Sequence, residues 1–350
     1  MMAAILTRLR APLEIDDVRA PEWLGFGQVR VRVAYSGICG SQLGEIEGVK
    51  GPDAYLPHLL GHEGSGEVLE TGAGVTRVAP GDRVVLHWMR GPGIESAPPD
   101  YARGGQRVNA GWVTTFNEEA IVSENRVTPL PDGIDLDLAP LLGCAVTTGL
   151  GVIVNDAKVR IGESVVVFGV GGVGLCTIQG AAMVSANPVI AVDLHASRLE
   201  LATRVGATHG IDASREDAAD AVRGIVGSDG ADVVIENTGN PRVIELAYEL
   251  TAPKGRTVLV GVPPRDDLPR IFTLPLHFGK ALMGSEGGGA RPEVDIPRYA
   301  ALAEAGRLAL APLITNRYPL DRVNDAIEDL RSGRVAGRCL IEMALSKDDA

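Results

Sequence analysis

The sequence predicts a two-domain α/β protein: a small barrel-like all-β domain, then a domain built on a doubly wound parallel sheet. Three observations carry this. The chain has 350 residues, enough for two ordinary domains, each with its own core. Its first 145 residues hold short β-type runs punctuated by Gly and Pro, among them "GQVRVRVAYSGI", "GSGEVLETGAGV", "GDRVVLHW" and "EEAIVSENRVTPLP". Beyond residue 150, Val/Ile-rich runs such as "ESVVVFG", "PVIAVD", "ADVVIENTG" and "GRTVLVGV" alternate with Ala/Leu-rich stretches such as "ASRLELATRVGA" and "PRVIELAYEL". Apolar strands alternating with helical patterns mean βαβ units on a parallel sheet.

The expected boundaries are 1–145 for the β domain, 146–287 for the α/β domain and 288–350 for a return to the first domain. That last part reads as two helices, "VDIPRYAALAEAGRLALAPLI" and "LDRVNDAIEDLRSG", and a closing strand. Disorder is expected only at the tail, "SKDDA". The run 165–184, "VVVFGVGGVGLCTIQGAAMV", has the length and hydropathy of a membrane span, but its four early glycines point instead to a strand, a tight turn and a helix.

A formal charge of −12 speaks against a nucleic-acid or anionic-membrane partner, since both need a basic footprint. A small molecule is the expected partner. The N-terminal "MMAAILTRLRAPLEI" does not read as a signal peptide, and a cytoplasmic location is expected. Four scattered cysteines, Cys39, Cys144, Cys176 and Cys339, suggest free thiols rather than disulfides.

Gly169, Gly171 and Gly174 form G-x-G-x-x-G between an apolar strand and a helical run. Such glycines allow a tight turn and let a pyrophosphate approach the helix N-terminus. A second strand ends at Asp193, 19 residues after Gly174, where an acid would bind the adenosine ribose. Turn, helix, strand and acid together indicate a dinucleotide, and the carboxylate favours NAD over NADP because it repels a 2′-phosphate. Arg198 could pair with that phosphate, which keeps NADP as the minority option.

Cys39 stands in a glycine turn, "GICGSQLGEI"; His62 and Glu63 stand between glycines in "LLGHEGSGEV"; Cys144 follows a glycine in "LLGCAVTTG". Two thiolates and an imidazole suit zinc, and three protein ligands leave the open fourth position of a catalytic site. Separations of 23 and 82 residues do not show that the three meet. Taken singly, Cys144 reads equally as a small buried hydrophobe and His62 as a hydrogen-bonded turn residue.

Taken jointly, "GICGS", "GHEGSGEV", "GDRV", "LGCAVTTG", "VFGVGGVGL", "AVDLHASRLELATRVGAT", "VGVPP" and "LDRVNDAIEDLRSG" resemble the zinc-dependent alcohol dehydrogenases of the medium-chain dehydrogenase/reductase family, over essentially the whole chain. The resemblance implies a GroES-like catalytic domain, a Rossmann cofactor domain, and hydride transfer between an alcohol and NAD. It implies a catalytic zinc on Cys39, His62 and Cys144, the Cys₂His set known from alcohol dehydrogenase, with Glu63 as the acid near the metal. Ser41 would pass the substrate proton. Gly169, Gly171, Gly172, Val173 and Gly174 would form the cofactor turn, and Thr148 and Val173 would touch the nicotinamide. Val260 and Val262, in "VGVPP", would contact its amide, and Arg338 the pyrophosphate. The stretch "IFTLPLHFGKALMGSEGG", 271–288, lies where members of the family pair subunits, so a homodimer or homotetramer is expected.

Three departures from that pattern stand out. The segment after "GDRV" has no cysteine, so no structural zinc is expected and the lobe 87–118 must be ordered otherwise, by packing of Trp88 and Trp112 or by a partner chain. Gln42 replaces the usual aspartate beside the metal-bound histidine, losing a charge that raises ligand basicity. Gly44 replaces a relay histidine, so Ser41 and the cofactor ribose would pass the proton to water directly. In the lobe, Asp100, Arg103, Arg107 and Asn109 suggest a polyol, cyclitol or sugar-like alcohol, or simply a solvated loop. Two rivals remain: a zinc-free NADP-linked quinone or enone reductase, and a non-catalytic dinucleotide-binding protein.

Overall fold

The computed structural model describes residues 1–344, so the tail for which disorder is expected lies outside the described residues. The chain divides into two compact units: Met1–Cys144 with Arg291 onward, and Ala145–Ala290.

The first unit is organised by the strand Gln28–Ile38. Its alternation of valine and arginine buries Val29, Val31 and Val33 and leaves Arg30 and Arg32 part-exposed, the period-2 signature of a strand with one face in a core. It pairs antiparallel with Glu63–Thr71, with Glu119–Ser123 and, at its end, with Arg338–Glu342. Val127–Pro129, Arg83–His87 and Ile314–Pro319 complete a seven-stranded sheet. A smaller sheet orders Glu14–Asp17, Met2–Leu6 and His58–Leu59. Val31, Val33, Val68, Leu86, Phe116 and Ile341 share the main core. Each such side chain contributes about 1.5–3 kcal/mol by leaving water.

The C-terminal part forms the helices Pro292–Glu304 and Val323–Arg331 and the closing strand Arg338–Glu342. It also forms a strand not foreseen, Ile314–Pro319, whose "ITNRYP" alternates only between half-buried and exposed positions. A helix, Gly40–Glu47, follows Cys39 where the glycines suggest only a turn. Two glycines in eight residues lower its propensity, and packing of Ile46 against the core sustains it.

The cysteine-free lobe is ordered by this chain's own contacts. The hairpin Tyr101–Arg103 and Gln106–Val108 buries Tyr101 and Val108 with Ile5, Val18 and Leu59, and Tyr101 Oη accepts from Ile121 N at 3.0 Å. Glu124 accepts from the backbone N–H groups of Thr76, Arg77 and Ile94 at 2.6, 2.9 and 2.9 Å. Buried Arg126 donates to Glu95 at 2.9 Å and to the Trp88 carbonyl, with its guanidinium 5.5 Å from the Trp112 ring centroid. Trp112 thus meets Arg126 through its ring, and Trp88 through its main-chain carbonyl alone.

The second unit is a six-stranded sheet, parallel throughout. Its spatial order is His209–Asp212, Val189–Asp193, Val165–Phe168, Ala231–Glu236, Thr251–Leu259, Ala281–Gly284. Numbered along the chain this is 3-2-1-4-5-6, the doubly wound dinucleotide order, and the direction of winding reverses between Val165–Phe168 and Ala231–Glu236. The apolar run 165–184 resolves into the strand Val165–Phe168 and the helix Gly172–Met183. No helix among the described residues is long and apolar enough to cross a membrane.

Candidate active site

Four donors converge in the first unit. The ligand atoms of Cys39, His62, Glu63 and Cys144 all lie within 4.8 Å of one another, the only such group among the described residues. Cys39 is the N-cap residue of Gly40–Glu47, at the end of the long strand. His62 immediately precedes the strand Glu63–Thr71, after Gly61 at φ +93°, where a Cβ would lie 2.3 Å from Thr115 Oγ1. The Glu63 carbonyl accepts from Ser36 Oγ and Thr115 Oγ1 at 3.1 and 3.2 Å, which fixes the strand start. Cys144 ends the 3₁₀ turn Ala139–Gly143 and is 5% exposed.

The donor set suits zinc. His62 Nε2 is buried without a hydrogen-bond partner, as a nitrogen awaiting a metal would be. The Cys39 thiol is held well below the usual thiol range, chiefly by its hydrogen bond with Cys144; burial opposes this, and His62 and Arg338 reinforce it. The fully buried Glu63 is ion-paired with Arg338, itself 4% exposed. That pair engages the carboxylate with a cation, and the two thiols and the imidazole are the other donors of the group. Gln42, 1% exposed, accepts from Cys39 N through Oε1 at 2.7 Å and sets its Nε2 2.5 Å from His62 Nδ1. Ser41 is exposed in the first helical turn.

In the second unit the Gly-rich turn lies where the winding reverses. A Cβ on Gly174 would sit 2.1 Å from the Gly169 carbonyl, so the helix can pack back on the strand only with glycine there. A Cβ on Gly171 would meet nothing within 4 Å, leaving its backbone open to close approach by a phosphate, beside the free N–H groups of Gly172 and Val173. Asp193 is 7% exposed; Oδ2 accepts from Val170 N at 2.9 Å and Oδ1 from His195 N at 3.0 Å, with Arg198 Nη1 at 3.7 Å from Oδ2. The acid thus also braces the glycine turn. Val260 lies one residue beyond the strand Thr251–Leu259, its N–H bonded to the Glu236 carbonyl at 2.8 Å, and Val262 is exposed two residues further on. Thr148 is buried in the helix Ala145–Gly151.

Known proteins match this chain over most of its length. Residues 25–132 match the alcohol dehydrogenase GroES-like domain and residues 172–305 the zinc-binding dehydrogenase family. The class-3 alcohol dehydrogenase of Cereibacter sphaeroides is 31% identical over 95% of this chain and 96% of its own. The NDMA-dependent alcohol dehydrogenase of Amycolatopsis methanolica is 32% identical over 95% and 96%. The chain belongs to the zinc-type alcohol dehydrogenases of the medium-chain dehydrogenase/reductase family. The crystal structure of benzyl alcohol dehydrogenase from Acinetobacter calcoaceticus agrees, with a TM-score of 0.88 at 28% identity over 98% of this chain and 99% of that one. The protein is thus an NAD(P)-dependent alcohol dehydrogenase, and the rival readings are not favoured.

For this dehydrogenase, three features were not read from the sequence. Arg338, expected at the pyrophosphate, has its guanidinium against Glu63 inside the first unit; a lone arginine near the C-terminus carries no signal of that partner. Gln42 stands out only as an odd residue, and its bridge between Cys39 and His62 is a matter of geometry. Asn237, directly after the strand Ala231–Glu236, has both amide atoms buried without partners near Gly174, and its place at a strand's C-terminal end was the available signal. The lobe residues offered as polyol contacts are engaged elsewhere. Arg103 bonds Glu14 and Asp16 at 2.6 Å each, Arg107 pairs with Asp100 at 2.6 Å, and Asn109 donates to the Tyr55 carbonyl at 2.6 Å.

Proposed function

We propose that the protein oxidises a monohydric alcohol bearing an apolar group to its carbonyl product, or catalyses the reverse, with NAD and one zinc ion per chain. The observation that carries this is the convergence of Cys39, His62 and Cys144 with Glu63 held aside by Arg338. When bound, zinc would supply Lewis acidity toward a hydroxyl and the nicotinamide would supply a hydride acceptor. Cys39, His62 and Cys144 would hold the metal, and Arg338 pairs with the Glu63 carboxylate and holds it aside. Ser41 takes the hydroxyl proton and, with glycine at position 44, passes it to solvent. Gly171, Gly172 and Val173 offer backbone to the pyrophosphate, Thr148 and Val173 position the nicotinamide, and Val260 and Val262 border its amide.

The Asp193 carboxylate supports NAD, because it meets a ribose hydroxyl favourably and a 2′-phosphate unfavourably. Engagement of Arg103, Arg107 and Asn109 with protein groups removes the support for a polyol. Trp88 directly follows His87, the residue opposite Glu63 where the sheet pairing ends, and so supports an apolar substituent. Four free cysteines fit a reducing cytoplasm, and exposed Leu268, Phe272, Leu274 and Phe278, ahead of the edge strand Ala281–Gly284, support a homodimer.

Elemental analysis of protein prepared without chelator, with NAD-linked rates on benzylic, allylic, aliphatic and polyhydric alcohols, tests the proposal. One zinc per chain and preference for the apolar alcohols are expected. Zinc near zero after add-back, or rates confined to polyols, would overturn it.

A further inference from the structure

We propose that Gln42 sets the metal affinity of the site by offering one hydrogen-bond acceptor where the metal-bound state has two donors. The inference rests on reading Cys39, His62 and Cys144 as zinc ligands. Gln42 is buried, with Oε1 accepting from Cys39 N–H at 2.7 Å and Nε2 2.5 Å from His62 Nδ1. An amide NH₂ only donates, so Nδ1 must be the acceptor and the neutral ring carries its proton on Nε2. Nε2 is the buried nitrogen without a partner and, with Nδ1 engaged, the atom left to reach a metal. Coordination needs its lone pair.

For zinc to bind, the ring proton must move to Nδ1, where it meets the Gln42 NH₂. Turning the amide over gives Oε1 to Nδ1–H and sets the NH₂ against Cys39 N–H. In either orientation one of two buried donors faces another donor. The metal-free protein satisfies both contacts by holding His62 in the tautomer that cannot ligate through Nε2. Metal entry therefore carries the cost of a tautomer change and of one lost contact, either at His62 or at the N-terminus of Gly40–Glu47. Gln42 is a positioning residue that weakens the site for its metal.

Gln42→Glu has the same shape and two acceptor oxygens, one for each donor. Zinc dissociation constants would be measured on both proteins by competition with a chromophoric chelator. The His62 tautomer would be read from nitrogen–proton correlation spectra of histidine-labelled protein, metal-free and zinc-loaded. Expected are zinc binding about 10–100-fold tighter in the Glu variant, and a metal-free wild type with the proton on Nε2. Zinc, or the Glu substitution alone, should move that proton to Nδ1. Tighter zinc binding by the Glu variant with the His62 proton unmoved would overturn the proposal. Nδ1–H already present in metal-free wild type overturns the proposal, whether or not the variant folds. So do zinc affinities within about twofold of each other, since loss of such a partner normally costs at least tenfold. Zinc binding by neither protein would instead overturn the reading of the cluster as a zinc site.

Discussion

Replacing Arg338 with methionine tests the pair at the centre of the site. Glu63 is fully buried and Arg338 is 4% exposed, so the substitution leaves a carboxylate in the interior beside two thiols, with its cationic partner gone. Breaking a buried ion pair from one side typically costs about 3–5 kcal/mol, more than the pair itself contributes, because the remaining charge is uncompensated. With a urea slope of about 2–3 kcal/mol/M, the unfolding midpoint should fall by roughly 1–2.5 M. All three tryptophans, Trp23, Trp88 and Trp112, lie in the first unit, so tryptophan fluorescence reports the unit that contains the pair. The measurement is made in excess chelator, since a bound cation would itself compensate Glu63. Glu63→Leu combined with Arg338→Met removes both charges and should recover stability to within about 1 kcal/mol of wild type. If the single change moves the midpoint by less than 0.5 M, or the double variant shows the sum of both single losses, the two side chains are not a coupled buried pair and the account of how Glu63 is held aside fails.

Other consequences follow from the same geometry. Burial pushes the His87 imidazole down to about 4, against an ordinary 6.5, with its ring nitrogens at the Met89 carbonyl and Thr128 Oγ1. Between those values the unfolded chain holds the extra proton, so this contribution is complete above pH 6.5 and declines as pH falls toward 4. The loss is about 3 kcal/mol; urea melts across that range should show it in wild type and not in His87→Asn. Gly174→Ala places a methyl 2.1 Å from the Gly169 carbonyl, so NADH fluorescence enhancement should vanish and thermal unfolding should come earlier. Asp193→Ser removes the carboxylate while leaving Arg198 in place, and kcat/KM for NADP relative to NAD should rise by about tenfold or more. Arg126→Met withdraws the cation from Glu95 and from the Trp112 ring, so the tryptophan emission should red-shift while zinc content is unchanged.

The fold was largely legible because its signals are local. Val165–Phe168, Val189–Asp193 and Ala231–Glu236 are short, β-branched and fully apolar at their centres, and the G-x-G-x-x-G turn lies between a strand and a helix. The alternation in Gln28–Ile38 likewise announces a half-buried strand. Elements stabilised by remote partners were hidden. His209–Asp212 flanks the sheet with little apolar patterning, Ala281–Gly284 is four residues within a longer apolar stretch, and Gly40–Glu47 owes its formation to Ile46 packing in a core assembled from distant segments.

The metal cluster shows where local reading stops. His62 and Glu63 are adjacent, and in an extended strand adjacent side chains point to opposite faces, so periodicity alone would separate them. Both nevertheless reach the same cluster, because the strand begins only at Glu63 and His62 follows a glycine whose positive φ bends the chain just before it. Arg338 meets Glu63 by a comparable route. Its strand returns across 300 residues of chain to pair with the end of Gln28–Ile38, with Cys339 opposite Ile38, and so comes beside Cys39. A residue's donor type can be read from its letter; its partner here is decided by strand register and by one left-handed glycine, and those are properties of the assembled sheet.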